Sequence, residues 1–250
     1  MARLLSWPDG VGIDLLEVVD DPNIRNSGSN TASDGSERLF AGIGQVWAFR
    51  VGVPILKNLK ARRVRGIQDG LMDGANAMRF QYFDPDQMTP AEAGLDVSPN
   101  LTWRDRITVP WSNGMNWSNG QPWRVRYPVV KVAASASFGE TIVSLQDEFW
   151  GHSLGFGDRF GFFPFHLGLY QVTEVIVPGT YRVKWSLRAA ITYSADPSEV
   201  TYATLFPTLA LRPIKVGAAR PGARRPAHVE GSEMILSEVI DPYVRRDFAG

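Results

Sequence analysis

Cysteine is absent from the 250-residue chain. A chain without thiols has no disulfide framework, no thiolate nucleophile and no zinc–cysteine site. Net charge is missing too: 26 Lys and Arg face 26 Asp and Glu, a formal +0 at pH 7. That balance supplies no global pull toward nucleic acid or membrane, so no direct, specific nucleic-acid binding is expected. No apolar run approaches 18 residues, which leaves no membrane span. The opening MARLLSWPDG has no long apolar core and no cleavage signal, so no secretory leader is expected. Histidine is scarce: His152, His166 and His228 are the three, and none stands four residues from another as on a zinc-binding helix. No nucleophile elbow, phosphate loop or dinucleotide fingerprint occurs. Asp20-Asp21 and Asp84-Pro85-Asp86 bring carboxylates close, but beside proline such pairs are turn chemistry. No regular loop gathers the six to eight oxygens of a calcium site. A glycosidase pair need not be adjacent in sequence, yet nothing singles one out. No catalytic residue, cofactor-binding residue, cofactor or metal ligand is therefore assigned, and an enzyme is the weaker reading.

What is present leans toward β structure. Hydrophobic residues make up 44% of the chain, ordinary for a globular protein, and Gly 24, Pro 17 and Trp 8 suggest many turns and aromatic strand faces. The chain is organised around residues 39–83. Over 46–53, Trp47, Phe49, Val51 and Val53 alternate with Ala48, Arg50 and Gly52, the period of a half-buried strand. Pro54 ends it, having no N–H for the ladder. A helix is expected over 55–72, with Leu56, Leu59, Val64, Ile67 and Leu71 on its apolar side and Lys57, Lys60, Arg62, Arg63 and Arg65 on the other. Those five cations are candidate interface residues; a plain solvated face is the competing reading. Asp73-Gly74 signals a turn, and Met78, Phe80 and Tyr82 mark a second strand.

Before this unit, 11–19 reads as a strand and the polar stretch 26–37 as a loop or linker. After it, Thr89 caps a short helical turn with Pro90 at its first position. Trp-Ser-Asn-Gly occurs twice, at 111–114 and 117–120, and Trp123 follows. Asn-Gly favours tight turns. Trp111, Trp117 and Trp123 therefore either form a binding loop or fold back on a sheet. From 124 to 212 short strands and turns succeed one another, with a strong hairpin at Pro178-Gly179, as in a small barrel or sandwich. Residues 213–228 are rich in Pro and Arg, a linker or extended arm, and 233–240 is one more strand.

Two segments together resemble a known family. Gly44-Gln-Val-Trp-Ala-Phe-Arg-Val, an arginine-rich helix, Gly74-Ala-Asn-Ala-Met-Arg-Phe80 and Asp84-Pro85 are similar to the ring-forming part of phage tail-tip proteins. Gly139-Glu-Thr-Ile-Val-Ser-Leu, Gly157-Asp158, Leu169-Tyr-Gln-Val-Thr, Val183-Lys-Trp-Ser-Leu-Arg-Ala-Ala and Pro207-Thr-Leu-Ala-Leu-Arg follow in the order of a second module of those proteins. The chain thus resembles the distal tail proteins of long-tailed bacteriophages over about two thirds of its length. The resemblance implies a mainly β protein with one helix: a β-sandwich ring domain with an inserted small β-barrel or sandwich domain. Residues 1–95 with 229–250 would form the ring domain, 96–128 a Trp-rich connecting loop, 129–212 the small barrel and 213–228 the linker. It also implies a structural role at the distal end of the virion tail. The implied partners are further copies in a homo-hexameric ring, the tail tube protein, and tail hub or tip proteins. The tryptophan repeat departs from the family pattern, and it supports the alternative of a carbohydrate- or receptor-binding module.

Overall fold

The structure is a computed structural model that describes residues 3–19, 29–31, 37–39, 46–93, 108–109, 123–124, 129–146, 152–164, 166–196, 199–214, 223, 225, 228–240 and 245. It is mainly β, with one α-helix among the described residues. The first strands are β1 (Leu4–Ser6), β2 (Leu15–Val19), β3 (Ser29–Thr31), β4 (Glu37–Leu39) and β5 (Ala48–Val53). The helix α1 (Asn58–Gly70) and β6 (Ala77–Gln81) follow. Then come β7 (Thr108–Val109), β8 (Trp123–Arg124), β9 (Val129–Lys131), β10 (Ile142–Ser144) and β11 (Arg159–Phe163). The last are β12 (Tyr170–Val177), β13 (Thr180–Lys184), β14 (Tyr202–Thr204), β15 (Thr208–Pro213) and β16 (Ser232–Glu238). The chain divides into two compact units, Met1–Gln81 with Thr208–Gly250, and Tyr82–Pro207.

The first unit is built on a six-stranded sheet in the order β1-β6-β15-β16-β5-β2. All neighbours are antiparallel except β1 and β6. Phe49, Val51 and Val53 of β5 stand opposite Leu236, Met234 and Ser232 of β16, which puts them on one face. Met78 and Phe80 of β6 oppose Leu211 and Leu209. The buried apolar side chains among these form the core, and burial of each contributes about 1.5–3 kcal/mol. Trp7 packs edge-on against Phe80 with ring centroids 6.2 Å apart. On the opposite face Arg50 pairs with Glu17 at 3.0 Å, a half-exposed ion pair of small worth. The strand expected over 46–53 is more deeply buried than half. Only Arg50 of β5 is not fully buried, because its alternate positions Ala48 and Gly52 are small enough to be covered.

The helix is shorter than expected and differently phased. Leu56 is not helical: it bridges Val229, with Leu56 N–H donating to Val229 O at 3.1 Å. The helix begins only at Asn58, so its buried stripe runs through Ala61, Val64, Ile67 and Gln68. Leu59 consequently lands half exposed rather than in the core.

The second unit holds a six-stranded antiparallel sheet in the order β10-β13-β12-β11-β14-β9. Its two end strands meet. Val132 bridges Leu145, Ala133 N–H donates to Ser144 O at 2.7 Å, and Gln146 N–H donates to Lys131 O at 2.8 Å. The sheet therefore closes into a small barrel. Phe160, Phe162, Tyr170, Val172, Tyr181 and Val183 are among the buried residues that fill it. Gly161 is required there, because a Cβ would overlap Pro207 and the Gly168 carbonyl. The Pro178-Gly179 hairpin joins β12 to β13, with Gly179 at φ 86°. Thr89 and Glu92 cap their turn reciprocally: Thr89 Oγ1 accepts from Glu92 N–H at 3.2 Å, and Glu92 Oε2 accepts from Thr89 N–H at 2.6 Å.

The boundaries differ from those read in the sequence. Residues 82–93 belong with the barrel, since Gln87 Nε2 donates to Leu205 O and Met88 joins its core. Residues 208–212, expected in the barrel, form β15 in the middle of the first sheet. Thr208 pairs with Gln81, so the second unit is inserted where a β6–β15 hairpin would otherwise turn. β16 lies between β15 and β5, the pairing with first-unit strands anticipated for the C-terminal strand.

Candidate functional site

The five cations singled out from sequence differ in exposure and in what holds them. Lys57 is the residue before the helix, in extended backbone at φ −128° and ψ 154°. Lys57, Lys60 and Arg62 are exposed. Arg63 is exposed but tied down, donating through Nη1 to Asp9 O at 2.8 Å. Arg65 is half-buried and turns to the wall of a pocket. Their placement along α1 costs helix stability. Lys57 and Lys60 sit at the positive end of the helix dipole, and the first turn holds no acidic residue to offset them. None of the five forms an ion pair with a described carboxylate.

The pocket beside them has a volume of about 150 Å³. Its apolar wall is Val53, Pro54, Leu56, Ala61, Val64 and Val229, and Arg65, Gln68, Glu230 and Ser232 supply the polar part. Two local features build it. Gly231 lets residues 229–232 lie against the end of β5, where a Cβ would come within 2.9 Å of Val53 O. Gln68, buried on the helix, donates through Nε2 to Ser232 Oγ at 3.2 Å and pins helix to strand. Glu230 is engaged by Arg225 at 2.7 Å. Sequence reading found the helix and its charges. It missed the pocket, which needs residues 229–232 beside 53–56, far apart in the chain.

In the second unit, Asp84 is buried and serves more than a turn. Arg159 Nη1 donates to Tyr82 Oη at 2.6 Å and to Asp84 Oδ2 at 3.1 Å, and Tyr82 Oη donates to Asp84 Oδ2 at 3.3 Å. Asp84 Oδ1 accepts from Asp86 N–H at 3.1 Å, the turn chemistry read from sequence. Burial, and then the Asp84 carboxylate, push the Tyr82 hydroxyl up to about 12. Burial also raises the Asp158 carboxyl, against the pull of the Gly155 N–H bonded to it at 2.6 Å. These groups fasten the incoming chain to β11. His166 is buried with its Nε2 hydrogen-bonded to Tyr170 Oη at 2.5 Å, and Tyr170 Oη accepts from Arg188 N–H at 2.8 Å. Both are satisfied core groups.

Among the described residues no three His, Asp or Glu side chains gather to hold a metal ion, and no helix is long and apolar enough to cross a membrane. Trp111 and Trp117 lie outside the described residues. Trp123 is in β8 opposite Val109, a two-residue pairing described for its backbone only. Comparison with family models finds none that matches the chain. Comparison with curated proteins finds no match either.

Proposed function

We propose that this chain is a structural subunit of a bacteriophage tail tip, one copy in a closed ring of six at the distal end of the virion tail. The ring joins the tail tube to the hub or tip proteins, and the chain acts by assembly rather than catalysis. The observation that carries this reading is the open sheet of the first unit. It ends on β1 and β2, neither of which has a strand on its outer side among the described residues. Such edges favour pairing with another chain. A neighbouring copy that continues the sheet head to tail, repeated by rotation, closes into a ring. The exposed Lys57, Lys60 and Arg62 offer a second contact for an acidic neighbour or the tube.

Reconstruction of the intact tail tests this. A ring of six at the far end of the tube is expected; one copy on the axis, or copies along the whole tube, would overturn it. The charge-reversed double variant Lys60→Glu/Arg62→Glu should impair ring incorporation while leaving the fold at least as stable, because a carboxylate in the first turn suits the helix dipole.

A further inference from the structure

The pocket beside α1 has the size and surroundings of a receptor for a single side chain. At about 100° per residue around a helix, Ala61, Val64 and Gln68 form one stripe at the pocket. Lys60 lies about 40° from Val64 on one side of it, and Arg65 about 40° from Ala61 on the other. Lys57 follows directly after Leu56, another wall residue. Arg65 thus lines the apolar floor, and Lys57 and Lys60 stand next to wall residues. The one carboxylate in the lining, Glu230, already pairs with Arg225. A volume of about 150 Å³ suits one branched aliphatic or aromatic group; a cavity of about that size lined by apolar side chains can hold a benzene ring. Lys57 and Lys60 also stand where the helix dipole is positive, so the local potential favours an anion.

We infer that this pocket docks one apolar side chain carried on an acidic, extended segment of a partner protein. The apolar group fills the space between Val64 and Val229, while carboxylates flanking it meet Lys57, Lys60 and Arg65. The inference goes beyond the ring reading and holds whether or not the chain assembles, because it concerns a site complete within the first unit.

The test uses the full-length chain and three capped pentapeptides. One has acidic residues around a central leucine, one has the leucine replaced by alanine, and one has lysines around leucine. Binding is followed by amide NMR shifts and by anisotropy of labelled peptide. The acidic leucine peptide should shift Ala61, Val64, Gln68 and Val229, and should bind roughly tenfold or more tightly than its alanine counterpart, from burial of the anchor. The lysine peptide should bind more weakly than the acidic one, and added salt should narrow that gap. Ala61→Phe, which fills the pocket, should weaken the acidic leucine peptide to the level of the alanine peptide. Equal binding of the leucine and alanine peptides would overturn the inference, as would no binding at millimolar peptide. Both of those outcomes are read on the unmodified chain, so they stand even if Ala61→Phe fails to fold. A tail reconstruction without a ring of six, with peptide binding intact, would count against the ring alone.

Discussion

The two units solve the same problem in opposite ways. Each carries a six-stranded sheet whose end strands have backbone groups to satisfy. In the second unit the ends find each other through Val132 and Leu145, and the barrel closes. In the first unit the ends are β1, held to its neighbour by a three-residue parallel pairing, and β2, whose Leu15 is partly exposed. A closed barrel has no edge to offer, whereas an open sheet has two. Of the two six-stranded sheets, the first unit's is the one left with edges for self-association by sheet extension. The two units also hold different kinds of polar group. Tyr82, Asp84 and the half-buried Arg159 bond to one another, while the α1 cations are left without carboxylate partners among the described residues.

Removal of β16 should have the largest effect. Truncation after Gly217 deletes a strand paired on both sides, with Met234 and Leu236 fully buried. The expected result by calorimetry is complete loss of the first unit's unfolding transition, since a single domain holds only about 5–15 kcal/mol in all. The barrel's own transition should persist. A truncated chain with both transitions unchanged would mean that the sheet does not depend on its C-terminal strand.

A matched pair of core truncations comes next. Phe160→Ala in the barrel and Phe49→Ala in the open sheet each remove a ring with no exposure. Each should cost about 3–5 kcal/mol, confined to its own unit's transition. Equal loss in both transitions from either variant would show that the units unfold as one.

The smallest effect is a pH dependence carried by the barrel unit alone. The Tyr82 hydroxyl is raised from 10.0 to about 12, so its folded form keeps its proton where the unfolded chain loses it. The unfolded state then binds fewer protons between those values, and stability falls as pH rises. This contribution is fully present below pH 10 and is lost as pH climbs through 12, amounting to about 2–3 kcal/mol. Tyr82→Phe should lose stability less steeply over that window in denaturant titrations. Parallel slopes for the two proteins would remove Tyr82 as the source.

Much of the fold was legible where the signal is local. The alternation at 46–53, the Pro178-Gly179 turn, the Thr89 cap and the basic helix all come from neighbours within a few residues. Leu59 shows the limit. By spacing it fits an apolar stripe with Leu56, but Leu56 is drawn into an extended bridge by Val229 and the helix begins two residues later. The candidate site was half legible for the same reason. Its cations stand in one run of sequence, while its pocket needs a strand end from the opposite terminus of the chain.

By itself the sequence determined the strand and turn preferences, the basic helix, and the absence of thiol chemistry. These follow from side-chain period, proline and glycine geometry, and composition. The tertiary structure alone decided that Thr208–Pro213 sits in the first sheet, that the second sheet closes, and that Arg159 meets Asp84. Short apolar strands fit many partners equally well by local preference. Pairings between distant segments are chosen by burial and backbone hydrogen bonding summed over the whole sheet, against the entropy of closing each loop.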